Sequence, residues 1–210
     1  MADVNHATLT DPELHEPKGI AAAASGQVYI ANGAGGGTWA NPTDGGQTEH
    51  ISIQNANFGK GATAPTQVTV GNYNGWTFTI GDDSVFNIEL PHNMDSSQNI
   101  EVHITWAINE AYATANGEIQ WQVDWSLVPH DKTETLTAPT HTGTLTSGDI
   151  DIPATAYAVD HVVFTIPAAN VADLDTLGVT FSRIALVGGV NPTAEPTIIA
   201  AHLEYTTNGT

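Results

Sequence analysis

The sequence has no cysteine, only four lysines and arginines, and no apolar run approaching membrane-spanning length. Without cysteine there is neither a disulfide framework nor a thiolate metal centre, and the redox compartment is left unread. Lys18, Lys60, Lys132 and Arg183 stand against 23 Asp and Glu, giving a formal net charge of −19. Nucleic-acid binding draws on a basic surface that releases counterions from phosphates, so no direct nucleic-acid contact is expected. Anionic membranes repel such a chain, and no stretch reaches the ~20 apolar residues of a transmembrane helix, so a soluble protein without a membrane partner is expected. The opening MADVNHATLTDPELHE shows neither a basic nor an apolar signal region, so no secretory signal is expected and the Asn208-Gly209-Thr210 sequon carries little weight.

What is present is a core and a period. Hydrophobic residues make up 40% of the 210, including five Trp, five Tyr and five Phe, and each buried aromatic removes roughly 150 to 250 Å² from water. From about residue 50 the apolar positions alternate. In EIQWQVDWSLV, Ile119, Trp121, Val123, Trp125 and Leu127 share one face; in EVHITWAI, Val102, Ile104, Trp106 and Ile108 do; in GWTFTI, Trp76, Phe78 and Ile80 do. HISIQ, TQVTV, SVFNIEL, DHVVFTI, LGVTFSRIALV and TIIAAHLEY add strands, and Asn74-Gly75 and Asn116-Gly117 are expected hairpin turns. Eight to ten strands with long connections predict an all-β, two-sheet sandwich of jelly-roll or Greek-key type, with an immunoglobulin-like sandwich as the alternative.

Two details stand apart from this pattern. The apolar phase in LGVTFSRIALV shifts after Arg183, which predicts a bulge or a strand buried on both faces, and the lone arginine is expected to pair with a carboxylate. The outward faces carry Thr, Gln, Asn, Ser and His, with no lysine in any expected strand. Soluble sheets commonly guard their edges with Lys or Pro, so identical neighbours are expected to cover some of these edges.

Residues 1–48 read differently from 49–210. Asp11-Pro12-Glu13 begins a helical turn that Pro17 and Gly19 stop, while Gln27 to Ala31 and Thr38 to Ala40 read as a short hairpin around the flexible NGAGGG. A lone hairpin is marginally stable in water, so this arm is expected to need a host surface.

Catalytic and ligand motifs are sparse. GAGGGTW lacks the GK[ST] ending of a phosphate loop and does not lead into a helix. The nine histidines are scattered without ligand spacing, so no metal and no cofactor is expected; a histidine cluster around an oligomer axis is the subtler alternative. Asp149 with Asp151, and Asp173 with Asp175, could support calcium or acid–base chemistry, but no calcium loop singles them out. With no G-x-S-x-G elbow and no cysteine, the protein is not expected to be an enzyme. Trp76, Trp106, Trp121 and Trp125 are in phase with the core, whereas Trp39, beside the glycine cluster, suits an anchor in a partner's pocket.

The run NHATLTDPELHEPKGIAAAASGQVYIANGAGGGTW resembles the N-terminal segment of a group of tailed-bacteriophage virion proteins, in which H-E-P-K-G, G-x-V-Y-x-A-N-G and G-x-G-x-W precede a β-sandwich. SVFNIELPHNM, LGVTFSRIALVGG and IIAAHLEYTTN are similar to jelly-roll modules of head decoration proteins, head fibres and tail fibres. The resemblance implies a homotrimer on the outer surface of the virion, made in the host cytoplasm and attached through its arm to the major capsid protein. His15, Glu16, Pro17, Lys18, Gly19, Tyr29, Asn32, Gly33 and Trp39 are the arm residues that match, and Val28 and Ile30 add apolar contacts by strand addition. A capsid decoration (cement) protein or short head fibre is therefore expected. A tail-fibre module binding a host-surface glycan or receptor is the alternative, and a wall-degrading hydrolase is a more distant one.

Overall fold

The computed structural model of the chain describes residues 24–25, 27–31, 37–40, 46–54, 58, 61–131, 133–172 and 175–208. Two compact units emerge, Met1–Gly46 with Gly209–Thr210, and Gln47–Asn208. Among the described residues the first holds one antiparallel ribbon, β1 (Val28–Ala31) with β2 (Gly37–Ala40). The second carries β3 (Thr48–Ile53), β4 (Thr66–Val70), β5 (Tyr73–Thr77), β6 (Asp83–Glu89) and β7 (Ile100–Ile108). After them come β8 (Glu118–Val128), β9 (His141–Asp151), β10 (Val159–Ile166), β11 (Thr176–Ile184) and β12 (Pro196–Thr206).

These strands form two sheets, and every strand pair is antiparallel. The first runs β10-β7-β12-β5-β4. The side of β12 away from β7 is shared: Thr197 and Ile198 pair with β5, and Ala201 to Thr206 pair with β3. The second sheet runs β6-β11-β8-β9. From β5 onward the chain passes from one sheet to the other at every step except β8 to β9, which pair within the second sheet, so that β5-β12-β7-β10 faces β6-β11-β8-β9, two nested Greek keys that make a jelly roll.

Alternation builds the core that joins the sheets. Val102, Ile104 and Trp106 of β7 and Ile198, Ala201 and Leu203 of β12 turn inward, as do Trp121, Val123 and Leu127 of β8 and Leu177, Val179 and Phe181 of β11. Trp121 lies at the centre, with ring centroids of Phe78, Trp106 and Phe181 at 5.8, 6.3 and 5.0 Å. Trp76 packs against this core from β5, partly buried.

Arg183 belongs to the same inward series. Strand β11 alternates without interruption, so no bulge follows Phe181 and the arginine takes the position of an apolar residue. Its side chain is buried, Nη1 donates to the Phe78 carbonyl at 2.9 Å, and it forms an ion pair with Glu195. Burial pushes the guanidinium down to about 10, opposed by Asp82, so it still carries its charge at neutral pH. The backbone completes the clasp: Gly81 N donates to Arg183 O, and Arg183 N to Asp82 O. Arg183 thus pins Phe78–Asp82, where the chain crosses from one sheet to the other.

The crossover corrects the expected strand GWTFTI, since β5 ends at Thr77 and Ile80 is exposed. The expected hairpin turns move as well. Asn74 and Gly75 lie within β5, and the β4–β5 turn is Gly71-Asn72, with Gly71 at φ +59° as the first position of a two-residue hairpin loop prefers. Asn116, at φ 45°, ends the single-turn helix α1 (Tyr112–Ala115) ahead of β8. Strand β9, absent from the expected set, is an edge strand of Thr, Ser and Gly with few large apolar residues. A register shift opposite Gln120 and Gln122 leaves Gly148 at φ +70°.

Candidate functional site

The β1–β2 ribbon holds the described part of the predicted attachment residues. Its register pairs Val28 with Ala40, Tyr29 with Trp39, Ile30 with Thr38 and Ala31 with Gly37. Tyr29 and Trp39 meet edge to face, ring centroids 5.3 Å apart, an arrangement that favours aromatic pairs. Val28 and Ile30 remain 44% and 47% exposed. Gly37 is required by close approach, because a Cβ there would fall 2.3 Å from the Ile30 carbonyl oxygen and 2.8 Å from the Tyr29 ring. His15, Glu16, Pro17, Lys18, Gly19, Asn32 and Gly33 lie outside the described residues.

Within the jelly roll, the outer face of the first sheet gathers the most reactive side chains. Register places His202 of β12 opposite His103 of β7 and Ser52 of β3, and Glu204 opposite Glu101 of β7 and His50 of β3. The His103 ring stacks on His202 at 4.6 Å with 12° between planes, while His50 meets His202 edge-on at 4.9 Å. His103 Nε2 lies 3.2 Å from Glu101 Oε2 and 3.5 Å from Glu204 Oε2, and His50 Nδ1 lies 3.7 Å from that same Glu204 oxygen. Burial, then His103 and His50, hold His202 below the usual imidazole range against the pull of Glu204. It therefore stays neutral at pH 7.

The sequence reading missed this convergence because the residues are far apart in the chain. A signal was present: E-V-H at 101–103 and H-L-E at 202–204 are mirror patterns, and antiparallel pairing superposes such patterns on one face. Asp149 and Asp151 pair with Gln120 and Glu118 along β8. Asp173 lies outside the described residues.

The opposite end of the same sheet is apolar. Val70, Tyr73, Ala107, Tyr157, Val159 and Ile199 line a depression of about 420 Å³, with Tyr73 66% and Tyr157 49% exposed. Tyr157 has φ 61° and its N–H donates to the Ile108 carbonyl at 2.7 Å. A tyrosine in left-handed backbone costs about 1–3 kcal/mol.

Comparisons with known proteins return structures alone: no family model matches, and no curated protein matches. A xylan-binding module, CBM15, superposes at TM-score 0.43 with 13% identity, over 76% of this chain and 97% of its own. The CBM36-1 domain of a xylanase from the hindgut metagenome of Trinervitermes trinervoides gives TM-score 0.38 with 10% identity, over 75% and 96%. The VP2 subviral particle of infectious bursal disease virus gives 0.39 with 11% identity, over 86% of this chain and 36% of that one. Likenesses this distant choose no ligand.

Proposed function

We propose that this protein is a structural component of a bacteriophage virion, a capsid decoration protein or short head fibre whose jelly roll is displayed on the outer surface of the head. Residues 1–48 act as the attachment arm, the partner is the major capsid protein, and three copies associate. The role is non-catalytic and requires neither nucleic acid nor membrane. The observation that carries this reading is the ribbon of β1 and β2. Its two strands of four residues each leave Val28 and Ile30 about half open, and a two-stranded ribbon is marginal by itself in water. A host sheet or pocket would satisfy its edges and cover these side chains, while the net charge of −19 keeps undocked copies apart.

The test mixes full-length protein, and a version lacking residues 1–46 so that β3 is left whole, with bare shells of the cognate major capsid protein. Full-length protein should sediment with the shells and the shortened one should stay behind. Equal retention would refute the arm's role, and light scattering that gives a monomer would refute the trimer.

One specific observation favours a second reading, a glycan- or receptor-binding module. Two exposed tyrosines flank an apolar depression, and one of them is held in a costly backbone conformation, an arrangement suited to stacking on a sugar ring. Glycan-array binding that Tyr73→Ala and Tyr157→Ala both abolish, without affinity for shells, would select it over the first.

A further inference from the structure

We propose that the outer face of the first sheet binds one divalent transition ion of the zinc class, with His50, His202 and Glu204 as protein ligands and water in the remaining position. Two imidazoles and a carboxylate form a donor set that zinc accepts, and Glu204 joins the three strands, since its carboxylate faces both His50 of β3 and His103 of β7. Ligand atoms on a tetrahedral zinc lie about 3.3–3.6 Å apart, given bonds of roughly 2.0–2.2 Å. The His50 Nδ1 to Glu204 Oε2 separation is 3.7 Å, and all three ligand atoms lie within 4.8 Å of one another. Closure around an ion therefore needs only small side-chain movements, which the half-open His50 permits.

His103 is assigned to the surrounding shell. Its ring is parallel to that of His202 at 4.6 Å, so the two rings direct their nitrogens alongside each other and cannot easily point at one ion. Instead it fixes the His202 ring by stacking and is held by Glu101, as outer partners of metal-bound histidines commonly do. The excess of 23 acidic over 4 basic residues adds a long-range pull on any cation. A bound ion would staple β3 to β12, its one strand partner among the described residues, and β3 is the strand that directly follows the arm in sequence. The inference is independent of the attachment reading.

Calorimetric titration of the full-length protein with zinc chloride in a non-coordinating buffer should give saturable uptake of one ion per chain and a higher melting temperature. Cobalt in place of zinc should give the intense visible absorption of a tetrahedral site. His50→Ala, His202→Ala and Glu204→Gln should each weaken binding more than the roughly 10- to 100-fold expected for the outer-shell changes His103→Ala and Glu101→Gln. These side chains lie on the outer face, so the core is spared, and unchanged circular dichroism verifies this. Absence of saturable uptake by the unaltered protein overturns the proposal, as does full affinity in Glu204→Gln. Loss of binding in His103→Ala with His50→Ala unaffected overturns the ligand set by moving the ion to Glu101, His103 and Glu204.

Discussion

Replacing Glu195 by glutamine keeps its shape and removes its charge, which isolates what the ion pair gives Arg183. Removing one member of a fully buried pair costs about 3–5 kcal/mol, while an exposed pair is worth about 0.2–1 kcal/mol. This pair lies between those limits. The arginine side chain is 2% exposed but the glutamate is 38% exposed, and the Phe78 carbonyl and Asp82 continue to compensate the guanidinium. A loss of about 2 kcal/mol follows. For a body of this size that lowers the melting temperature by about 4–8 °C, and with a urea dependence of about 2 kcal/mol/M it moves the midpoint by about 1 M.

The control is Arg183→Met, which fills the same position with an apolar side chain. It deprives the Phe78 carbonyl of a donor and leaves Asp82 without its cation, so it should destabilise by about 1–3 kcal/mol. In that background Glu195 has no partner, and adding Glu195→Gln should change stability by less than about 0.5 kcal/mol. Urea unfolding followed by tryptophan fluorescence reads all four proteins, since Trp121 sits among the rings beside Phe78. If Glu195→Gln costs the same with and without the arginine, the two are uncoupled and the account of the crossover clasp is wrong.

Gly143 should not tolerate a side chain: a Cβ would stand 2.7–2.8 Å from ring atoms of Trp125, so Gly143→Ala should cost about 1–3 kcal/mol as an overpacked site, read as a lower thermal midpoint. Gly37→Ala meets the Ile30 backbone and should break the β1–β2 ribbon, reducing shell retention toward that of the arm-deleted protein while leaving the urea midpoint of the jelly roll unchanged. His202, whose pKa is held down by burial and by His103 and His50 against Glu204, favours the folded state in its neutral form. That stability is present above about pH 6.5 and is lost as pH falls through the depressed value. His202→Gln should flatten this part of the stability profile, and an unchanged acid limb would count against the assignment.

The fold was legible because its signal is local. Trp121, Val123 and Leu127 reach the core through the same alternation that marks them in the sequence, and the ten strands among the described residues of the body lie at the upper end of the expected eight to ten. Failures came where local pattern yields to tertiary placement. An inward arginine looked like a break in phase because nothing local distinguishes a charge paired inside from one outside; Glu195, which settles it, is twelve residues away on another segment. Strand β9 was hidden because an edge strand paired on one side needs little apolar content. Asn74-Gly75 has hairpin composition, yet Gly75 is needed within the strand, where a Cβ would meet Thr197 and the Ile198 carbonyl.

The histidine and glutamate face shows how scarcity of one residue type shapes what a surface can do. Glu101 and Glu204 are directly opposed on neighbouring strands, a pairing that is unfavourable between like charges. A sheet with lysines to spare would place one between them; no described strand contains any, and the position between the carboxylates falls to His103. The two carboxylates therefore share a single imidazole in place of an ammonium, and the face keeps oxygen and nitrogen donors that a cation can use. Protons in acid and a divalent ion at neutral pH compete for the same nitrogens and oxygens. Zinc should therefore raise the melting temperature of the unaltered protein clearly more than that of Glu204→Gln if the carboxylate is a ligand, and raise the two by closely similar amounts if it serves only as a charge. Melting temperatures of both proteins, with and without the metal, separate the two.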